Sequence, residues 1–144
     1  MDIAGQIIYN EFYNSKYVEG IEIIEKNDRV KEDSLAKIVG EPTQYSDFDR
    51  RGNIYENMVN SGDINLIKNE EIIKGIIDLE ESMMYMNRME TIHYEAMMGY
   101  AVDAIKDVMK FSTGEIKKSE VIYSYEFQNL FFLFEKITDE KGMV

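Results

Sequence analysis

The longest regular pattern of apolar positions runs from Asn69 to Ser112, and it is helical. The apolar side chains recur every three or four residues, the spacing that places them on one face of an α-helix. These positions are Ile72, Ile76, Leu79, Met83, Met86, Met89, Met97, Tyr100, Ala104, Val108 and Phe111, with His93 among them. Asn69 is predicted to cap the helix, and the two acidic residues after it suit the positive end of the helix dipole. Because a helix this long cannot bury its apolar face alone, we expect the rest of the chain to cover it.

The segments on either side of this stretch also show helical spacing, and none shows an alternation long enough for a sheet. They comprise residues 2–26, 29–39, 53–60 and 115–140. Gly99 lies inside the long pattern, where glycine weakens a helix interior. Three explanations stay open for it: close packing of a neighbour, a kink, or a break in the helix near this position. The sequence therefore predicts an all-α fold. We expect an elongated antiparallel bundle of about four or five helices, built as a single domain over residues 1–144 on a long central helix at about 69–112.

The chain is acidic, with 16 Lys and Arg against 28 Asp and Glu and a net charge of −12. A negative field of this size repels nucleic-acid phosphates and acidic membrane surfaces, so no nucleic-acid partner is expected. The simplest interpretation is a solvated, charged surface. An alternative is an acidic inhibitor or antitoxin-like protein that binds a basic partner. The absence of cysteine excludes disulfides, thiolate catalysis and cysteine-based zinc sites.

One motif suggests metal chemistry: Glu90 and His93 have the Glu-x-x-His spacing found in di-iron four-helix bundles. That centre needs two such pairs and two further glutamates, and His93 is the chain's single histidine. Only a symmetric dimer would supply the second pair. We therefore interpret His93 as a core histidine with a nearby acid, and keep Glu90 and His93 as the sole metal candidates. No catalytic residue, cofactor site or phosphate-binding glycine loop is predicted, so we expect a protein that is not an enzyme.

The last predicted helix is apolar on more than one face. Phe131, Phe132 and Leu133 follow one another and widen the core stripe beyond the arc that one neighbouring helix covers. Two surfaces of this helix are then expected to be buried, by other helices or by a second subunit. The sequence thus predicts a protein partner, with a homodimer through these three residues as one form of it.

The segment Ile54–Glu81 resembles part of an uncharacterised bacterial family of small single-pass membrane proteins. In that family a short helix ends in Ser-Gly, and an apolar turn, Ile-Lys-Asn and an acid-rich helix follow, as at Ser61-Gly62 and Ile67-Lys68-Asn69 here. A shorter match at Ile3–Ile7 is similar to the boundary between the membrane helix and the soluble region. The resemblance implies an all-helical domain tethered at the cell envelope, and it implies no activity and no site residues.

These observations lead to a main hypothesis and two alternatives. The main one is a non-enzymatic helical interaction or sensory domain on the extracytoplasmic side of a bacterial membrane. No anchor of about 20 apolar residues occurs in this chain, so a cytoplasmic location is expected instead if Met1 is the native start. The alternatives are the acidic inhibitor of a basic partner and a metal-binding bundle using Glu90 and His93.

Overall fold

The computed structural model describes residues 3–44 and 54–142, and it is an all-α helical bundle. Six α-helices and one short hairpin follow in order within the described chain. They are α1 Ile3–Glu25, α2 Glu32–Val39, α3 Ile54–Ser61, α4 Glu70–Ala96, α5 Val102–Ile105, β1 Met109–Lys110, β2 Glu115–Ile116 and α6 Tyr125–Gly142. Short 3₁₀ turns connect several of them, at Arg29–Lys31, Glu41–Thr43, Asp63–Leu66 and Val121–Tyr123. The predicted fold class is confirmed.

The centre of the bundle is the antiparallel pair formed by α1 and α6. Tyr17 of α1 packs on Phe131 and Phe134 of α6, with ring centroids 6.4 and 5.8 Å apart. The pair can approach closely at Gly20, because a Cβ atom there would lie 2.9 Å from the Phe131 ring and 3.1 Å from Ile38 of α2. Helix α2 closes one side of this core and contributes Leu35, Ile38 and Val39.

Helix α1 ends where it was predicted to end. Asn27 adopts a left-handed conformation with φ of 49°, which asparagine tolerates better than most residues. The chain then turns into α2.

Near the middle of α1, Asn14 links this helix to α6. Its Nδ2 donates to the backbone oxygen of Glu135 and to Oγ1 of Thr138, at 3.0 and 3.1 Å.

The long helix begins as predicted, because the Asn69 side chain accepts hydrogen bonds from the backbone amides of Glu71 and Ile72. It continues through α4, a π-helical turn at Met97–Ala101 and α5. The helix is therefore not broken at Gly99 and instead contains a π-turn there. A Cβ atom on Gly99 would contact nothing within 4 Å, so close packing does not explain the glycine.

Two boundaries were predicted wrongly. The long helix ends at Ile105 and not near residue 112, and α6 begins at Tyr125 and not at residue 115. Between them Met109 pairs with Ile116 in an antiparallel hairpin, whose turn ends at Gly114 with φ of 74°. Since Met109 is buried in the core, packing and strand pairing replace the last two turns of the predicted helix.

Coverage of the long helix is uneven. From Met89 to Val108 the bundle covers the predicted stripe: Met89, His93, Met97 and Val108 are buried, and Tyr100 and Ala104 are half-buried. Ala101 and Ile105, which lie beside the predicted positions, are buried as well. From residue 70 to residue 88 no side chain is buried. The expectation that the rest of the chain covers the whole apolar face is therefore wrong for the first half of α4.

Candidate functional site

The first candidate site is the uncovered stripe on α4, which we call the α4 seam. It consists of Ile72, Ile76, Leu79, Met83 and Met86. Their spacing is four, three, four and three residues, the a/d pattern with which helices pair in coiled coils. Ile72 and Leu79 are 53% and 59% exposed, and the other three members are half-buried.

The apolar surface extends beyond the seam on one side. Ile73, Ile77 and Met84 widen it, with Ile77 and Met84 exposed and Ile73 half-buried. At about 100° per residue, the apolar side chains between Ile72 and Met84 span an arc of about 160°. Large exposed apolar patches on soluble proteins are characteristic of interaction sites, which makes this face a candidate.

The second candidate site is a set of six buried polar side chains on α1, α4 and α6, which we call the buried polar cluster. They are Gln6 and Asn10 of α1, Glu90 and His93 of α4, and Thr138 and Lys141 of α6. Of these six residues, the Glu-x-x-His spacing predicts two, Glu90 and His93. Helical spacing predicts the inward position of His93, but no local signal pairs it with a lysine 48 positions further along the chain.

His93 and Lys141 form the central contact of the cluster. The Lys141 Nζ lies 3.1 Å from His93 Nδ1, and the two residues are only 3% and 1% exposed. Because an ammonium group can only donate, Nδ1 accepts and the proton of the neutral imidazole lies on Nε2. Burial, aided by the charge of Lys141, lowers the pKa of His93 to about 4. The histidine is therefore neutral at pH 7.

The metal hypothesis gains no support from this geometry. Glu90 and His93 are both buried on α4, but Nδ1 of the imidazole already faces the Lys141 ammonium group. Nowhere in residues 3–44 and 54–142 do three or more His, Cys, Asp or Glu side chains come together in a way that could hold a metal ion. The arrangement fits a structural hydrogen bond that joins α4 to α6. A second contact between these helices, from the Tyr85 hydroxyl to a Glu140 carboxylate oxygen at 2.6 Å, lies nearby.

A polar cleft of about 400 Å³ adjoins this cluster between α1 and α6. Its lining includes Asn10, Asn14, Glu11, Thr138 and Asp139. Within the described chain the Oδ1 atom of Asn10 has no hydrogen-bond partner, while Asn14 is held by α6 as described above. The cleft carries no nucleophile next to a base and hence no recognisable reaction centre.

The three aromatic and aliphatic residues predicted for a dimer interface separate in the structure. Phe131 is fully buried in the chain's own core, so it is not available to a partner. Phe132 is 53% exposed and Leu133 is also exposed, and Lys136 lies over the Phe132 ring at 5.1 Å. A dimer through this helix stays a prediction that rests on Phe132 and Leu133 alone.

Comparison of the chain with models of protein families, with curated proteins and with solved structures gave no match in any of the three. The resemblance of residues 54–81 to the bacterial single-pass family therefore stays a prediction. Among the described residues, no helix combines the length and the apolar character that crossing a bilayer demands.

Proposed function

We propose that this chain is a non-enzymatic helical interaction domain that binds a protein partner through the α4 seam. The observation that carries the proposal is the change along one continuous helix. The stripe is buried in the second half of the helix and exposed in the first, at Ile72 and Leu79 above all. The apolar stripe thus continues in the same register beyond the part that this chain covers. A helix that binds a partner molecule needs such an exposed continuation.

The energetics favour a reversible complex. Burying a whole Ile or Leu side chain contributes about 1.5–3 kcal/mol, so covering the exposed half of Ile72 and of Leu79 contributes about 1 kcal/mol each. The half-buried members of the seam add smaller amounts. These contributions total only a few kcal/mol and do not by themselves exceed the cost of association, so the partner must bury apolar side chains of its own. A total of this size suits a partner that binds and dissociates rather than a permanent subunit.

The geometry of α4 also supports a sensory role. The seam continues through α4 into the buried cluster, where Lys141 and Glu140 of α6 contact His93 and Tyr85. A partner that shifts the first half of α4 would therefore act on these contacts with α6. Small helix shifts of this kind are a common means of signal transfer.

We further propose that the domain works on the extracytoplasmic side of a bacterial membrane. The support for this location is the resemblance of residues 54–81 to the single-pass family. Fractionation of the native host, with an antibody against this chain, is expected to place it with the envelope. Recovery in the cytosolic fraction would contradict the location and leave the interaction proposal untouched.

The interaction is tested by site-specific photo-crosslinking in the native host. A photoreactive amino acid replaces Leu79 in the seam, and in a matched control it replaces Val30, which is 96% exposed and lies outside the seam. We expect a covalent adduct with a protein at position 79 and none at position 30. Absence of an adduct at position 79, or equal adducts at both positions, would refute an interaction through the seam.

A further inference from the structure

We propose that the polar cleft between α1 and α6 binds a small aliphatic amine, whose ammonium group donates to the side-chain oxygens of Asn10 and Asn14. This site lies apart from the α4 seam, and ligand binding there is independent of the interaction proposed for the seam. Three features of the cleft carry the proposal: a buried amide oxygen without a donor, an acidic lining and an apolar wall.

Asn10 is a buried asparagine whose side-chain oxygen the protein does not satisfy. The side chain is 4% exposed and lines the cleft, and its Oδ1 atom has no hydrogen-bond partner within the described residues. A buried acceptor without a donor destabilises the fold, so such atoms normally pair with a ligand or a water molecule. Since Oδ1 has no bond to lose, rotation about the broad terminal torsion of the side chain turns it towards a donor in the cleft.

Asn14 lies one turn further along α1 and also lines the cleft. Its Nδ2 donates to three oxygens of α6, which belong to the backbone of Glu135, the Thr138 hydroxyl and the Asp139 carboxylate, at 3.0, 3.1 and 3.3 Å. These contacts fix the amide through its nitrogen alone, so its oxygen remains an acceptor. Residues four apart lie on one face of a helix, and the two asparagines therefore offer two amide oxygens to the same ligand.

The charge of the lining favours a cation. Glu11 of α1 and Asp139 of α6 are exposed carboxylates on the cleft, and no lysine or arginine of the described chain lines it. The ammonium group of Lys141 lies against His93 instead. Because the lining combines carboxylates with amide oxygens in a chain of net charge −12, the cleft attracts a positively charged donor and repels an anion.

An ammonium group matches these acceptors better than a metal ion does. It has three donors, and the two asparagine oxygens and one carboxylate provide three acceptors. A Ca²⁺ ion takes about six to eight oxygen ligands, and no three or more His, Cys, Asp or Glu side chains of the described residues come together to hold one. The cleft volume of about 400 Å³ is also that of a small-molecule site rather than of a bare ion.

Ile7 provides an apolar wall for the carbon chain of the amine. Its side chain is 43% exposed and lines the cleft, and it lies four residues before Glu11 on the same face of α1. Methylene groups can cover such a side chain while the charged ends stay beside oxygens, as the stem of a lysine does. A short diamine is therefore expected to bind best, because its second ammonium group reaches the exposed carboxylates.

The test is isothermal titration calorimetry of the full chain with putrescine, a diamine with four carbons. Butanediol of the same length controls for hydroxyl donors without charge, succinate for the opposite charge and CaCl₂ for a metal ion. The titrations are made at about 0.15 M NaCl, which screens unspecific attraction to an acidic surface. We expect a dissociation constant below about 1 mM for putrescine and no measurable binding of the other three compounds.

Two variants of α1 and a matched control locate the site. Asn10→Leu removes the amide oxygen at similar side-chain size and should weaken putrescine binding at least about 10-fold. Glu11→Gln should weaken it about 3-fold. Glu19→Gln removes the same charge from the same helix outside the cleft lining and should leave binding unchanged. Circular dichroism verifies that the three variants fold.

A second measurement needs no variant. In NMR spectra of the wild-type chain, the side-chain amide signals of Asn10 and Asn14 should shift during the putrescine titration. The side-chain amide signal of Asn69, which caps α4, should stay in place.

Each other result overturns the proposal. Absence of putrescine binding would show that Asn10 pairs with water only, and equal binding by Asn10→Leu or equal shifts at Asn69 would show unspecific attraction. Equal binding of butanediol would show a site without preference for charge, and tighter binding of CaCl₂ would show a metal site. None of these results changes the outcome of crosslinking at position 79, so failure of the amine site and failure of the proposed interaction are distinguishable.

Discussion

The buried contact between His93 and Lys141 predicts a specific dependence of stability on pH. Burial and the neighbouring ammonium lower the pKa of His93 from 6.5 to about 4 in the folded chain. Between these two values the unfolded chain binds a proton that the folded chain does not bind. Stability is therefore greatest above pH 6.5 and falls as the pH falls towards 4.

The size of this effect follows from the same two pKa values. A shift of one pKa unit between the unfolded and the folded chain corresponds to about 1.4 kcal/mol. The free energy of unfolding is therefore about 3 kcal/mol higher at pH 7 than well below pH 4, as far as His93 determines it. Between pH 7.5 and pH 4.5 the expected loss is about 2–3 kcal/mol. Carboxylates also titrate in this range, so the loss due to His93 must be measured against a variant that keeps them.

His93→Gln supplies that comparison, because glutamine can accept the hydrogen bond from Lys141 and does not titrate. Urea denaturation at pH 7.5 and pH 4.5 measures the free energy of unfolding of both proteins. We expect the wild type to lose about 2–3 kcal/mol more than the variant over this interval. Equal losses in the two proteins would refute the burial of a neutral imidazole at this position.

An independent readout comes from the imidazole itself. His93 is the only histidine in the chain, so a single ring-proton resonance in the NMR spectrum reports its titration. The midpoint should lie near pH 4, and Lys141→Met should raise it without returning it to 6.5, because burial is the larger cause. A midpoint between 6 and 7 in the wild type would contradict the structure.

Three further predictions concern stability. Phe131→Ala should lower the free energy of unfolding by about 3–5 kcal/mol, because the ring is fully buried. The matched variant Phe132→Ala should change it by less than about 0.5 kcal/mol. Similar losses for the two variants in chemical denaturation would contradict the packing of α6. Gly20→Ala should cost about 1–3 kcal/mol, since its Cβ atom would meet the Phe131 ring at 2.9 Å, and an unchanged melting temperature would argue against the close approach of α1 and α6. Asn69→Ala should cost about 1 kcal/mol of local helix stability, seen as faster amide hydrogen exchange at Glu71 and Ile72, and unaltered exchange there would exclude the cap.

Much of the fold could be predicted from local chemistry. The Asn69 cap, the end of α1 near Asn27 and the irregularity at Gly99 all depend on residues close in sequence. In each case the side chain or the conformational freedom of one residue decides the local backbone. Such features can be recognised without knowing what packs against them.

The region between the long helix and α6 could not be predicted in this way. Val108 and Phe111 continue the helical spacing, yet the chain leaves the helix after Ile105. The hairpin is closed by contacts between residues that are not neighbours in sequence. The backbone amide of Lys117 donates to the backbone oxygen of Val108 at 2.7 Å. Helix α6 then begins after Ser124, whose hydroxyl accepts from the amide of Phe127 at 3.5 Å. Tertiary packing in this region outweighs a helical spacing that is as regular as the spacing in α4.

The candidate sites were predictable only in part, for a similar reason. An apolar stripe shows that a helix face must be covered, but the pattern is the same whether the cover comes from this chain or from another. The sequence therefore indicated the stripe containing Ile72 and Leu79 without indicating that it is exposed. The contact of His93 with Lys141 depends on how α4 crosses α6, which no local pattern contains.

The central claim, that the α4 seam is uncovered in the isolated chain, has a direct test because the chain has no cysteine. Single cysteines at Ile72 and Leu79, and one at Leu130 in the core, are labelled with a maleimide under native conditions. We expect the two seam thiols to react nearly as fast as in urea and the Leu130 thiol to react at least about 100-fold more slowly, since it must wait for unfolding. Slow labelling at positions 72 and 79, at every protein concentration, would show that the chain covers its own seam and would contradict the account.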